Sequence, residues 1–435
     1  MEGMKDSGIH FIGLIPKEWT IKRIKYVISD IKDGTHGTFD RVEEGFPLLS
    51  AKNVFDDGLH ITDFESEISE KDYLLITANG FPKKNDVIMC CVGTVGRVCV
   101  YDLDKSMAFQ RSVTFLRPND NTFSKYLKYC LQSDSTLIQE SQLINKSAQD
   151  GLYMGAVQEL IIPYTESRRE QQAIADFLDD KCSQIDGIIA DIEKQIEILK
   201  SYKKSLITET VTKGLDKNAK MKDSGVEWIG QIPEHWDVKR LKYVSNIHSS
   251  IRIFEHEYVD DGIPFFRTKE IVELSKKQSI SLELYIKEER YNQLKAYHVK
   301  RGDILISSIG TIGSVWISDG RKFWYKDGNI TQIDLSYAFS SEYIKYFIES
   351  KCFEEAIKYW ESTTTISALT IEKIKKIDMP ILPLQEQDDI VKYLNIKCEN
   401  LDSIITTKQT QLTKMQQHKK SLIYEYVTGK KRVAI

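Results

Sequence analysis

One internal duplication fixes most of what this chain can fold into. Residues 4–27, MKDSGIHFIGLIPKEWTIKRIKYV, return as residues 221–244, MKDSGVEWIGQIPEHWDVKRLKYV, with 15 of 24 positions identical at an offset of 217. At the same offset NDVIMCCVGTVGRVCV (85–100) matches GDILISSIGTIGSVWI (302–317), and Pro163 pairs with Pro380. Farther on the offset slips to 216, where YKKSLITETVT (202–212) aligns with HKKSLIYEYVT (418–428). A chain of 435 residues built this way is two copies of one unit, each long enough to close its own core.

Each copy has two parts of different periodicity. In the first part, short β-branched apolar runs alternate with turn signals such as Asp33-Gly34, Asp57-Gly58, Asn79-Gly80 and Asp261-Gly262. These stretches read as mixed α/β (α+β) domains. The second part carries a heptad seam, Ile185, Ile189, Ile192, Ile196 and Leu199, extended by Leu206. Its second copy reads Leu401, Ile405, Lys408, Leu412 and Met415, extended by Leu422, with one polar interruption. The boundaries expected are 1–165 for the first recognition-type domain, 166–217 for a central helix, 218–382 for the second domain and 383–435 for a distal helix. A two-fold relation between the copies requires the two helices to run antiparallel as a coiled coil. The end of the first helix near Lys213 then enters the second domain, and the C-terminus near Gly429 lies by the first, as in a dumbbell.

Composition and motifs exclude many chemistries. Sixty Lys and Arg against 64 Asp and Glu give a net charge of −4, which argues against a nucleic-acid partner for a chain acting alone. Seven cysteines without a C-x-x-C pair read as reduced buried thiols, and eight scattered histidines indicate no metal site. No apolar run approaches the ~20 residues of a membrane span, so a cytoplasmic protein is expected. Phosphate-loop and nucleophile-elbow motifs are missing, and the nine prolines never adjoin, so no Asp/Asn-Pro-Pro-aromatic loop exists to hold an extruded base. No carboxylate pair stands out for acid/base work, and no catalytic residue is assigned.

Polar candidates for reading nucleic acid sit between the strand signals. In the first copy these are Thr35, His36 and Thr38 of the Asp33–Thr38 loop, with Arg97, Gln110, Arg111, Lys146 and Gln149. In the second they are Arg252, Arg267, Lys269, Thr311, Lys326, Asn329, Thr363 and Thr364. Such side chains form bidentate base contacts or hold phosphates, although each taken singly is more often solvated. Gly93-Thr94-Val95-Gly96 and Gly310-Thr311-Ile312-Gly313 resemble the backbone clamp of KH modules, but strand-like flanks make a turn between strands the better reading. The scaffold ends of the copies match closely, whereas 28–84 and 245–301 hardly match. Two different readers on one scaffold suit a bipartite, asymmetric DNA target.

Together these motifs resemble the specificity subunit of type I restriction-modification systems. The resemblance rests on Asp6-Ser7-Gly8-Ile9, Ile12-Gly13, Ile15-Pro16 and Trp19, on their repeats Asp223-Ser224-Gly225, Trp228-Ile229-Gly230, Ile232-Pro233 and Trp236, on the Gly-Thr-x-Gly turns, and on Glu170-Gln171-Gln172 and Glu386-Gln387 opening the helices. It spans essentially the whole chain. It implies two target recognition domains, each reading one half of a bipartite double-stranded DNA sequence, and two helices that set the gap and dock two methyltransferase (modification) subunits. Two restriction/translocase subunits would be further partners. Catalysis, adenine N6 methylation or ATP-dependent cleavage, would lie in those partners with S-adenosylmethionine, ATP and Mg, leaving no cofactor, metal or membrane contact in this chain. Lys203-Lys204 and Lys419-Lys420 would then touch phosphates or stay solvated. The alternatives are a stand-alone KH-type single-strand binder and a structural coiled-coil scaffold.

Overall fold

The computed structural model describes residues 3–144, 151–309, 313–335, 339–360 and 369–434. Its contacts group into two compact units, residues 1–193 with 410–435 and residues 194–409. Each unit thus takes one globular repeat together with a portion of both long helices. This grouping departs from the sequential division at 165, 217 and 382, because a helix that starts in one repeat adds its far end to the core of the other.

In the first unit a four-stranded antiparallel sheet has the order Val98–Val100, Val87–Cys90, Val113–Pro118, Ile28–Asp33. The central strand Val87–Cys90 is buried throughout, and the two-residue period of a strand sorts its side chains onto two faces. Val87 and Met89 join the large core around Trp19 and Leu127, while Ile88 and Cys90 join a second core with Leu49, Phe109 and Phe115. The second unit repeats the plan with Ser245–His248, Ile330–Leu335, Ile304–Ser307 and Val315–Ile317. There Ile304 and Ile306 face the core around Trp236, and Leu305 faces the opposite cluster with Phe266 and Trp316.

A smaller sheet completes each unit, and here the repeats diverge. The first unit pairs Phe46–Leu49 in parallel with Ala108–Phe109 and antiparallel with Glu67–Ile68. The second pairs Ile263–Phe266 in parallel with Trp324–Tyr325 and adds Tyr285–Ile286 and Tyr258–Val259. Asp56-Asp57 closes a two-residue hairpin between Val54–Phe55 and Gly58–Leu59, so the Asp57-Gly58 signal marks the place, although Gly58 itself already pairs with Phe55. Asp33-Gly34 does not form a free turn: Asp33 ends its strand in register with Thr114, and Gly34 continues it by donating to the Val113 carbonyl. The Gly93–Gly96 segment joins two antiparallel strands, Val87–Cys90 and Val98–Val100, which fits a strand turn rather than a helix-joining KH clamp.

The long helices run Arg168–Lys213 and Leu384–Val427. The motifs at their starts are joints between helix and domain. Trp19 Nε1 donates to Glu170 Oε2 at 3.2 Å, and Trp236 Nε1 donates to Glu386 Oε2 at 2.9 Å. Gln171 accepts from the Phe123 amide at 2.7 Å and donates to the carbonyls of Asn121 and Thr165; Gln387 accepts from the Ser340 amide at 2.9 Å and donates to Leu382. These buried amides satisfy backbone groups where the chain turns into the helix.

The two helices are antiparallel within each unit. In the first, Lys419 Nζ lies 2.7 Å from both carboxylate oxygens of Asp186, and Leu422, Ile423 and Val427 enter the core beside Trp19, Ile174 and Leu178. In the second, Lys203 Nζ makes the same 2.7 Å contacts with Asp402, and Ile207 and Val211 pack with Ile390 and Leu394. Lys203 and Lys419 hold interhelical ion pairs, and Lys204 pairs with Glu354; Lys420 is exposed. Along the seam Ile185, Ile192, Ile196, Ile405 and Leu422 are buried, while Ile189, Leu199, Leu206, Leu401, Leu412 and Met415 are half-buried.

Each helix end is locked by the domain it reaches. A Cβ on Gly429 (φ +68°) would fall 2.5 Å from Pro16, and Tyr424 donates its hydroxyl to the Ile12 carbonyl. In the second unit Gly214 lies against Trp236, and Tyr343 donates to the Val211 carbonyl at 3.0 Å. All seven cysteines are buried and unbridged. Burial pushes the Cys91 thiol up to about 12, so it stays protonated and unreactive. No helix among the described residues is long and apolar enough to cross a membrane.

Candidate nucleic-acid interface

Antiparallel order places alternate chain ends at one edge of the central sheet. In the first unit that edge receives the end of Ile28–Asp33, the end of Val87–Cys90, the start of Val98–Val100 and the start of Val113–Pro118. Consequently Thr35, His36, Thr38, Arg97, Gln110 and Arg111 all emerge at the same end, although up to 76 positions separate them in sequence.

Backbone pairing fixes this edge. The Thr35 amide donates to the Phe109 carbonyl at 2.7 Å, the Arg111 amide to the Thr35 carbonyl at 3.0 Å, and the Gln110 amide to the Leu49 carbonyl at 2.8 Å. Gly34 is required by this approach, since a Cβ there would sit 2.1 Å from the Gln110 carbonyl oxygen. The loop is thereby held rather than free, with His36, Thr38 and Arg111 directed to solvent. His36 Nε2 stands 3.8 Å from Asp33 Oδ2, whose partner oxygen accepts from Thr114. The loop forms one wall of an open cleft of about 460 Å³, with Leu75, Ile76, Asn79 and Met154 opposite.

Arg97 is held differently. Its guanidinium lies over the Phe55 ring at 4.7 Å, and His60 stacks on the same ring at 4.3 Å. The Phe55 contact had no signal in the sequence, because it depends on a hairpin 42 residues away. Among the described residues neither Arg97 nor Arg111 has a carboxylate partner, so both forks stay available to a ligand.

The second unit gathers a different set at the equivalent edge. Gly328 donates to Ser249 Oγ, Ser250 Oγ donates to the Tyr325 carbonyl at 2.6 Å, and the Ser308 amide donates to the Asn329 carbonyl at 2.8 Å. Lys326 is exposed, and its amide donates to the Phe266 carbonyl, which sets it beside Arg267. Here the cations are largely answered internally. Arg252 Nε lies 2.9 Å from Asp327, Arg267 lies 2.9 Å from both Glu270 and Glu283, and Lys269 lies 3.3 Å from Glu283. Since Glu270 is buried, Arg267 compensates a desolvated charge and is a structural cap more than a free reader. Lys146, Gln149, Thr311, Thr363 and Thr364 lie outside the described residues.

A buried acid that the sequence did not single out lies under the first glycine turn. Glu140 is 3% exposed, its Oε1 has no hydrogen-bond partner among the described residues, and its Oε2 would be 2.8 Å from a Cβ on Gly96. Burial pushes its carboxyl up to about 8 from an ordinary 4.5. The folded state then holds a proton that the unfolded state releases, so stability should fall as pH rises from about 4.5 to 8 and level off above. One proton contributes at most about 1.4 kcal/mol per pH unit. Glu140→Gln should flatten that slope in urea unfolding measured across this range, and an unaltered slope would assign it to other groups.

Among the described residues no group of three or more His, Cys, Asp or Glu side chains is placed to hold a metal ion. The edges instead offer hydroxyl, amide, imidazole and guanidinium groups, the chemistry of base and phosphate contacts. Comparison with known proteins agrees with that chemistry. A protein given provisionally as the type I restriction enzyme MjaX specificity subunit of Methanocaldococcus jannaschii is 25% identical, covering 97% of this chain and 96% of its own. The type I restriction enzyme EcoBI specificity subunit of Escherichia coli is 22% identical over 90% of this chain and 81% of its own. A solved chain described as the structural basis of complex assembly and conformational transition of the type I R-M system shares the fold, with a TM-score of 0.68 at 14% identity, covering 95% of this chain and 98% of that one. The family profile described as Type I restriction modification DNA specificity domain matches twice, at residues 16–198 and 233–414, and the chain therefore belongs to the type I restriction-modification specificity subunits.

Proposed function

We propose that the two specificity domains of this subunit each read one half of a bipartite, asymmetric double-stranded DNA target, with the paired long helices setting the gap. The observation that carries this reading is the contrast at the sheet edges. The strand order of the central sheet and the Trp–Glu helix joints are the same in both units, whereas the edge of the first carries Thr35, His36, Arg97, Gln110 and Arg111 and the edge of the second carries Ser249, Arg252, Lys326 and Asn329. A common scaffold with unlike readers fits a target whose halves differ. Catalysis lies in other subunits of such systems. We infer that two methyltransferase subunits transfer a methyl group from S-adenosylmethionine to adenine N6 in a flipped-out base, and that restriction subunits using ATP and Mg join them. Those partners would also share the phosphate contacts that a chain of net charge −4 supplies poorly by itself.

Single-molecule methylome sequencing of cells expressing the chain with its methyltransferase tests this. A two-part motif with a fixed gap and N6-methyladenine on both strands is expected. Absence of any motif, with both proteins soluble and associated, would favour the scaffold alternative. Changing Arg97 or Arg111 to Gln should relax one half-site only, with a discrimination loss of about 1 to 3 kcal/mol at a single base pair. Equal weakening on all sequences would reassign the arginine to phosphate binding.

A further inference from the structure

An acid is sealed beneath the turn that delivers Arg97 to the reading edge, and the second repeat does without it. Glu140 lies on the helix Asp134–Leu143, and the same place on the matching helix Lys351–Trp360 is taken by Ile357. The turn is seated differently as well. A Cβ on Gly96 would fall 2.8 Å from Glu140 Oε2 and 3.0 Å from Leu137, whereas a Cβ on Gly313 would meet nothing within 4 Å. The shared scaffold therefore has no need of an acid here, yet the first unit carries one at 3% exposure with its Oε1 unpartnered.

The helix that bears Glu140 is pinned, and the turn above it is softer. Gln139 accepts from the Ile161 amide and donates to the Ile161 carbonyl, both at 2.8 Å, and Thr136 donates to the Cys130 carbonyl at 2.7 Å. In the turn the Gly96 amide reaches the Cys90 carbonyl at 3.1 Å and the Arg97 amide reaches the Thr94 carbonyl at 3.5 Å; only its base is tight, where the Cys90 amide donates to the Arg97 carbonyl at 2.9 Å. A charge on Glu140 would meet no donor in a dry site, a cost that the neutral carboxyl avoids. Relief comes from the softer side. The turn lifts about its base, and the Arg97 side chain leaves its seat 4.7 Å over Phe55.

We propose that Glu140 is a positioning residue for the first half-site: uncharged, it seats the Gly93–Gly96 turn so that Arg97 meets its base, and ionised, it unseats the turn and withdraws the reader. The second unit, with Ile357 on the helix and Ser314 after Gly313, lacks both members of this device. Reading of the two halves therefore responds unequally to pH. Among the described residues few titratable groups surround the acid. The charges of Glu140 and Asp33 act on the Cys91 thiol, which its own burial keeps protonated, while on the other face of that strand Arg97 and Asp56 act on the Cys90 thiol. None of them moves the Glu140 proton, since burial alone pushes the carboxyl up to about 8.

This inference rests on the two-domain reading of DNA proposed above. The test uses the full chain in complex with its methyltransferase, and duplexes that carry the two-part motif found by methylome sequencing, each with one base pair changed in one half or the other. Competition binding from neutral to alkaline pH gives the discrimination of each half-site. At the base pair that Arg97→Gln relaxes, wild-type discrimination should fall about tenfold between pH 7 and pH 9, following the neutral fraction of an acid that titrates at about 8, while the second half-site stays level. Glu140→Gln and Glu140→Ile should each flatten that profile. Either variant suffices, so a folding failure of one, seen by thermal unfolding, leaves the other to decide. A profile that persists without the acid, one shared by both half-sites, or a level profile in the wild type would overturn the proposal. A wild-type complex that discriminates at neither half-site at pH 7 would instead overturn the two-reader assignment, and that is seen before any variant is made.

Discussion

Removing residues 193–199 from the first long helix and 406–412 from the second should shorten the gap of the methylated target by about three base pairs while both half-sites stay the same. Seven residues take about 10.5 Å from an α-helix, and base pairs rise about 3.4 Å. The windows follow from the pairing register. Lys419 meets Asp186 in one unit and Lys203 meets Asp402 in the other, and in both pairs the residue numbers add to 605. The deleted windows have the same sum, so every remaining cross-helix partner is preserved. A whole heptad also keeps the apolar stripe in place, since it turns a straight helix by only about 20°. Lys203 would follow Ile192 in the seam at the spacing Ile196 now occupies. Methylome sequencing reads the gap directly, and a spacing identical to wild type would refute the helical ruler.

Trp19→Ala should destabilise the first unit by about 3 to 5 kcal/mol, the usual cost of removing a large buried aromatic ring. Trp19 is wholly buried, touches the space beside Gly429, and donates to Glu170, which also accepts from Thr165 and lies 2.9 Å from Arg432. The truncation therefore removes packing and leaves a buried carboxylate short of one donor. Trp19→Phe keeps most of the packing, so its expected loss is about 1 to 3 kcal/mol, the desolvation term alone. Trp236→Ala should likewise remove the packing of a wholly buried ring from the second unit, but Glu386 is partly exposed and keeps His235 at 2.9 Å, so no buried carboxylate is stranded there. Urea unfolding of the full chain checks this, with the unfolding of the affected unit moving to lower urea. A loss under about 1 kcal/mol for Trp19→Ala would mean that the helix joint does not hold the core together.

The duplication, the helix lengths and the antiparallel pairing were legible because they are written in long, regular patterns. An offset that slips only from 217 to 216, and four isoleucines and a leucine spaced 4, 3, 4, 3, leave few alternatives. The strand turn at Gly93–Gly96 was legible from its apolar flanks. Asp33-Gly34 was misread as a turn because its glycine answers a different demand, the approach of the Gln110 backbone from a strand far along the chain. The recognition edge was legible only as a set of residue types. Sequence cannot tell an arginine stacked on Phe55, such as Arg97, from one spent on a buried acid, such as Arg267. Lys203 and Lys419 looked like solvated helix-end lysines, yet they occupy seam positions and bind aspartates on the facing helix. Glu140 gave no sign at all, since only the folded chain shows an acid sealed beneath a glycine.

The packing of Leu422, Ile423 and Val427 around Trp19 has a bearing on the order of synthesis. The first unit begins to emerge from the ribosome before the second, yet it contains residues made after the whole of the second. More than 200 residues separate Glu193 from Thr410, where this unit resumes, and at about 5 to 20 residues per second that interval lasts on the order of 10 to 40 seconds. Throughout it the apolar faces of Ile15, Trp19 and Ile174 wait without their cover. The second unit, whose members are contiguous from 194 to 409, can close as it emerges. Maturation therefore runs against the direction of translation, and the nascent amino-terminal half is the stretch of this polypeptide most in need of chaperone protection.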